Sequence, residues 1–212
     1  MPGKFITFEG PEGSGKSTQI RLLAEKLQAR GNEVLCTREP GGTATGEAIR
    51  NILQHDAAGE PLGERAELLL FTASRAQLMD QVILPTIEKG GWVLCDRFID
   101  STLAYQGFAR GMDIVTLDAL NDFAIHARKP DLTILLDLDI EAGFRRLEER
   151  YSDSGESHDR FERETRDFHH RVRAGYHKLA QREPQRFAII KADNDIETVS
   201  SNIWAAVKGA LL

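Results

Sequence analysis

An apolar run, Phe5-Ile6-Thr7-Phe8, is followed by Gly10-Pro11-Glu12-Gly13-Ser14-Gly15-Lys16-Ser17 and then by a helix-like stretch that begins near Lys16. The eight residues fit G-x-x-x-x-G-K-[ST]. Their strand–loop–helix setting separates a phosphate-binding loop from an ordinary glycine turn beside a solvated lysine. Glycines let successive backbone N–H groups curl towards an anion, and the following helix offers its positive N-terminal end. Lys16 is placed to reach β and γ phosphates, and the Ser17 hydroxyl to ligate Mg²⁺.

This start constrains the rest of the chain, because the same βα order recurs. Lys4 to Glu9 reads as a first strand and Gln19 to Leu27 as a helix stopped by Gly31. Glu33 to Thr37 reads as a second strand that ends at Arg38-Glu39-Pro40-Gly41-Gly42-Thr43. Gly46 to Leu53 is a short helix, His55 to Gly63 a polar connection, and Arg65 to Glu88 a helix bent or interrupted by Pro85. Trp92 to Cys95 is an unbroken apolar run followed by Asp96-Arg97, the pattern of a parallel strand buried on both faces. Helix Asp118–Ala127, strand Leu132–Leu138, helix Ile140–Arg150, helix Arg166–Gln181, strand Phe187–Lys191 and helix Ile196–Leu211 complete the series. The implied fold is α/β: five strands in a mainly parallel sheet, helices on both faces, and a ligand crevice at the strand carboxyl ends.

At 212 residues the chain fits one such domain, 1–212. The segment from about 148 to 164 is rich in charge and includes Ser152-Asp153-Ser154-Gly155-Glu156-Ser157, so it is expected to be a mobile lid between helices. With 27 Lys and Arg against 33 Asp and Glu, the net charge of −6 argues against general nucleic-acid binding. No apolar stretch approaches the ~20 residues that span a bilayer, and no signal core opens the chain, so a cytoplasmic protein without membrane contact is expected. Cys36 and Cys95 lie in apolar runs without metal-type spacing and read as buried, reduced thiols.

Each polar cluster follows a predicted strand, which brings the phosphate loop, Arg38 and Asp96-Arg97 to one rim. Asp96 suits an acid that holds Mg²⁺-bound water, or a strand-end cap pairing with Arg97. Arg38 and Arg97 exceed the cations one triphosphate needs, so they fit a second, acceptor phosphate; the alternative is ion pairing with Glu39 and Asp96.

Four stretches carry a resemblance to the bacterial thymidylate kinase family, P-loop nucleoside monophosphate kinases with a three-layer fold. They are Phe8 to Ser17, Arg38 to Thr43, Leu70-Phe71-Thr72-Ala73-Ser74-Arg75, and Asp96-Arg97-Phe98 running into Ser101-Thr102-Leu103-Ala104-Tyr105-Gln106-Gly107. The resemblance implies that Gly10 to Ser17, with Thr18, binds ATP, and that Arg38 and Arg97 grip the phosphate of dTMP. It implies that Phe71 stacks on thymine, Arg75 reaches a thymine carbonyl, Ser101 and Gln106 face the base, and Tyr105 lies by the sugar and disfavours a 2′-hydroxyl. Glu9 and Glu12 would approach the sugar 3′-hydroxyl or the metal shell, their roles undivided, with Ser17 and Asp96 the other metal residues. By pattern alone, Phe71 also suits a helix core position.

Family members take a catalytic arginine from the phosphate loop or from the lid. Pro11, Glu12, Gly13 and Ser14 include no base, so the lid is expected to supply it: Arg150 first, then Arg146 and Arg160, acting with Lys16 and Arg97. The implied reaction is ATP·Mg²⁺ plus dTMP giving ADP plus dTDP, in a homodimer. A deoxynucleoside kinase and a monophosphate kinase for another base are the competing enzymes. A nucleotide-dependent switch is the competing binding protein, although the N-K-x-D element of GTPases is absent.

Overall fold

The computed structural model describes residues 3–55, 60–154 and 160–212. Parts of the polar connection (56–59) and of the charged insert (155–159) lie outside the described residues. Five strands, β1 (Lys4–Glu9), β2 (Val34–Arg38), β3 (Trp92–Asp96), β4 (Leu132–Asp137) and β5 (Phe187–Lys191), form one sheet in the order β2-β3-β1-β4-β5. Every pairing is parallel. Phe5, Ile6 and Phe8 of the central strand are fully buried, as expected of a strand covered on both faces.

Helix α1 (Lys16–Gln28) and the last helix, Ile196–Leu211, cover one face through Ile20, Leu23, Leu27, Val199, Ile203 and Val207. The other face is covered by Leu78, Met79, Ile83, Phe98 and Ile99. A third apolar cluster lies beyond it and joins Tyr105 to Phe168, Val172 and Tyr176. In register, Phe8 of β1 and Arg38 of β2 both pair with Asp96 of β3. The carboxyl ends of these three strands therefore finish together and fix the rim on which the site is built.

Helix α2 spans Ala44–His55. The single helix expected over Arg65 to Glu88 is instead α3 (Glu64–Leu78), a π-helical turn (Met79–Ile83) and α4 (Leu84–Glu88). Pro85 has no N–H to donate back, so the hydrogen-bond ladder widens before it and restarts with the proline in the first turn of α4. A second widened stretch, Leu103–Ala109, continues α5 (Ile99–Thr102) and carries Tyr105 and Gln106. Helix α6 runs Ile114–Ala124, earlier than Asp118 to Ala127, because the Asp113 side chain caps it by accepting the Thr116 N–H at 2.9 Å. Helices α7 (Ile140–Ser154), α8 (Arg166–Arg182) and α9 (Ile196–Leu211) follow. Cys95 is buried as expected, but Cys36 is exposed. It sits on β2, an edge strand, where an apolar run does not guarantee burial.

Candidate active site

The phosphate loop is shaped by its glycines and by what packs behind them. Gly10, Gly13 and Gly15 have φ of +139°, +70° and +88°, values that side-chain-bearing residues rarely adopt. A Cβ on Gly13 would lie 2.3 Å from the Gly143 carbonyl oxygen, and a Cβ on Gly143 would lie 2.4 Å from that of Glu12. The loop thus rests directly on the backbone of α7. Gly15 caps α1 without a side-chain acceptor, so the first-turn amides face the loop and favour an anion. Lys16 is nearly buried and donates to the carbonyls of Pro11 at 3.1 Å and Gly10 at 3.3 Å. Burial, followed by the charge of Arg97, holds its pKa below the ordinary lysine value, against the opposing pull of Glu12, Asp96 and Glu9.

Beside the loop, the Ser17 hydroxyl donates to Asp96 Oδ2 at 3.2 Å. Among the described residues no group of three or more His, Cys, Asp or Glu side chains is placed to hold a metal. A hydroxyl and one carboxylate suit Mg²⁺, which keeps waters and phosphate oxygens as its remaining ligands.

Arg97 occupies the opposite wall. Its backbone φ is +68°, a strained value held by a dense set of contacts. Its guanidinium pairs with Glu12, donates to Gly10 O, Ser101 Oγ and Tyr176 OH at 3.2–3.3 Å, and lies 5.2 Å from the Tyr105 ring centre. Burial pushes Glu12 up, but Arg97 and then Lys16 outweigh it and hold the carboxyl at about 2. Tyr105 OH donates to Glu12 Oε1 at 2.9 Å. Glu12 thus stands between loop, arginine and tyrosine.

Glu9 lies beneath this layer. It is fully buried, accepting from Phe98 N–H at 2.8 Å, Ser101 Oγ at 2.7 Å and Tyr176 OH at 2.8 Å. Burial and then the charge of Asp100 raise its pKa to about 7. Where the sequence set Glu9 by the sugar or metal, the fold puts it one step back, in touch with the cavity through Ser101 and Phe98, which line it. Tyr176 lies in the helix read over Arg166 to Gln181 and draws no role from the sequence; only the fold reveals that its hydroxyl joins Glu9, Ser101 and Arg97.

Arg38 differs from Arg97 in its exposure and in its partner. Its side chain is 53% exposed and forks onto Glu47 at 3.0 and 3.1 Å, and neither Glu39 nor Asp96 is its ion-pair partner. Arg75 is almost completely buried. It bonds Glu39 through Nε and one terminal nitrogen at 2.6–3.2 Å, Asn121 at 2.6 Å and Thr102 at 2.9 Å. It therefore braces the turn after β2 against α3 and α6 while still lining the cavity. Phe71 is half-buried, its ring 5.7 Å from Phe161.

These walls enclose a cavity of about 1070 Å³. It is lined by Glu12 through Thr18, by Asp96, Arg97, Arg38, Ser101 and Tyr105, and by Phe71, Arg75 and Gln106. Of the candidate residues, Glu9, Gly10, Pro11 and Arg160 do not line it. Arg146 does, donating to Gly13 O at 3.3 Å and Ala192 O at 3.1 Å. Arg150 also lines it, donating to Tyr151 OH at 2.8 Å and Glu162 at 3.3 Å. Arg160 turns away, with one terminal nitrogen 2.6 Å from Glu67 Oε2 and Nε donating to Leu53 O at 2.9 Å.

The family model for thymidylate kinase matches residues 8–203. A thymidylate kinase from Desulfovibrio desulfuricans is 50% identical over 209 residues, covering 98% of this chain and 96% of the relative. One from Pelotomaculum thermopropionicum is 50% identical over 211 residues, covering 100% of this chain and 95% of the relative. The crystal structure of thymidylate kinase from Ehrlichia chaffeensis superimposes with a TM-score of 0.78 at 37% identity, covering 98% of this chain and 99% of that one. The chain belongs to the thymidylate kinase family.

Proposed function

We propose that this protein transfers the γ-phosphoryl group of ATP to dTMP, giving ADP and dTDP, in the cavity between the phosphate loop and Arg97. The observation that carries this reading is the convergence of two separate cationic sets on one cavity: loop amides with Lys16, and Arg97 with Arg38. ATP occupies the loop, its β and γ phosphates at the α1 N-terminus and Lys16. The dTMP phosphate lies against Arg97 and Arg38, its sugar near Tyr105 and Glu12, and its base against Phe71, with Arg75, Ser101 and Gln106 around it. An oxygen of the dTMP phosphate, already anionic near neutral pH, attacks the γ phosphorus; the bond to the β–γ bridging oxygen breaks and ADP leaves. No strong base is needed, and the rate comes from alignment and from cations that neutralise the spreading charge.

Ser17 and Asp96 are the residues that would hold Mg²⁺, which would supply neutralisation of the phosphate charge. Glu9 organises Ser101, Tyr176 and the Phe98 amide beneath the acceptor site. We assign the lid to residues 148–164 of a single domain and the catalytic arginine to Arg150, which faces the cavity from the end of α7, with Arg146 second; Arg160, held by Glu67, ranks last. Closure of the lid would exclude water and limit ATP hydrolysis. A homodimer is supported by the exposed apolar side chains Leu69, Val115 and Phe123 on α3 and α6, which pack side by side. A cytoplasmic setting is supported by two free cysteines; among the described residues no helix is long and apolar enough to cross a membrane.

ADP release, followed with dTMP, dUMP, dCMP and thymidine as acceptors, tests the reading. Turnover should require a 5′-monophosphate and be highest with dTMP. Turnover of thymidine without turnover of dTMP would refute it.

A further inference from the structure

Glu67 lies on α3, 1% exposed, and its carboxylate is fully engaged. Gln106 Nε2 donates to Oε1 at 2.7 Å, and Arg110 donates to Oε1 at 3.1 Å and Oε2 at 3.3 Å. Arg160 stands 2.6 Å from Oε2, a charge contact outside hydrogen-bond alignment. An ionised carboxylate only accepts hydrogen bonds, so the amide of Gln106 has one orientation beside it: NH₂ towards Glu67, oxygen away. Gln106 lines the cavity, and its Oε1 has no hydrogen-bond partner among the described residues and is not sealed from solvent. The cavity is therefore given a fixed acceptor on a residue that is otherwise enclosed.

We propose that Glu67 is a positioning residue for base selection: by locking the Gln106 amide, it presents Oε1 to the base and favours pyrimidines with a ring N–H. Thymine and uracil carry a donor at N3 between two carbonyls, whereas cytosine carries an acceptor there, which would meet Oε1 lone pair to lone pair. The two guanidiniums of Arg110 and Arg160 pair with the carboxylate and hold it in place beside the amide. A site built to pair one polar group discriminates strongly against a base that leaves it unpaired. The inference rests on the placement of the pyrimidine in this cavity.

The test measures dissociation constants of dTMP and dCMP for wild type, Glu67→Gln, Gln106→Leu and the double variant, with ATP affinity and melting temperature alongside. In Glu67→Gln a neutral amide can donate to Gln106, so the Gln106 amide can turn and offer NH₂. The dTMP-over-dCMP preference should then fall by about tenfold or more, the scale of one lost hydrogen bond of ~1.4 kcal/mol. ATP affinity should stay within about threefold, and Glu67→Gln should have no further effect on the preference in the Gln106→Leu background. If Glu67→Gln does not fold, the pair Glu67→Gln/Arg110→Gln, which removes the charge together with a partner, is read in its place. Equal weakening of dTMP and dCMP by Glu67→Gln would make Glu67 merely structural and overturn the proposal. A preference lost in Gln106→Leu but kept in folded Glu67→Gln would overturn the role of Glu67 alone. Unchanged dTMP binding and preference in Gln106→Leu would remove the pyrimidine from this wall, and both readings would fall.

Discussion

The two halves of the cavity are made from different materials. The phosphate-loop half is mostly backbone: glycines at positive φ, first-turn amides of α1, and a loop seated on the Gly143 peptide. The half around Arg97 is made of side chains drawn from β2, α3, the end of β3 and α8, each held by another. A backbone site needs a contiguous motif and one good platform. A side-chain site needs a network, so its parts are scattered along the chain and their roles depend on partners that are themselves buried.

This contrast sets an order of expected effects. Lys16→Ala should be the largest, lowering kcat by about 10²–10³-fold with dTMP affinity retained, because it removes a cation that works on the transferring group. Steady-state kinetics with calorimetric dTMP binding would check it, and a change confined to dTMP affinity would break the division between halves. Arg97→Ala should follow, with kcat/KM for dTMP down about 10²-fold, since it strips the acceptor wall and leaves Glu12 without its main partner. Gly143→Ala, remote in sequence, should weaken ATP binding by tenfold or more on the order of a lost 1.4 kcal/mol, because its Cβ would push on the Glu12 carbonyl. Unaltered ATP affinity there would show that α7 is no platform. Arg38→Ala should be milder, about tenfold in KM for dTMP, because the side chain is more than half exposed and already shared with Glu47.

The smallest effect concerns stability. The pKa of Glu9 is raised from its unfolded value of 4.5 to about 7, so its contribution is fully favourable below 4.5 and is lost as pH rises through 7. Glu9→Gln should therefore melt closer to, or above, wild type at pH 8 than at pH 5. Thermal melts at the two values decide it, and the reverse order would mean that Glu9 is held charged.

The phosphate-loop motif was legible in the sequence because it is local: the glycine spacing, Lys16 and Ser17 all follow one strand. The five strands and their order of buried runs were legible too, since a parallel sheet covered on both faces needs unbroken apolar segments such as Leu132–Asp137. Arg38, Asp96 and Arg97 could be brought to one rim by fold logic alone. Their partners could not. Nothing in the pattern distinguishes Glu47, which holds Arg38, from any exposed helix glutamate, or Tyr176 from a core aromatic, until α2 and α8 are folded against the sheet. The π-helical stretch Leu103–Ala109 was invisible for a related reason: it shifts side chains around the helix axis and erases the 3.6-residue period by which helices are read.

The central claim is that donor and acceptor phosphates are held at one edge by separate groups of cations. A crystal structure of the protein with dTMP and a non-hydrolysable ATP analogue tests it most directly. The dTMP phosphate should lie within about 3 Å of the Arg97 and Arg38 guanidinium nitrogens, with its free oxygen facing the γ phosphate beside Lys16. A dTMP phosphate bound away from both arginines, with the ATP analogue in the loop, would contradict the account.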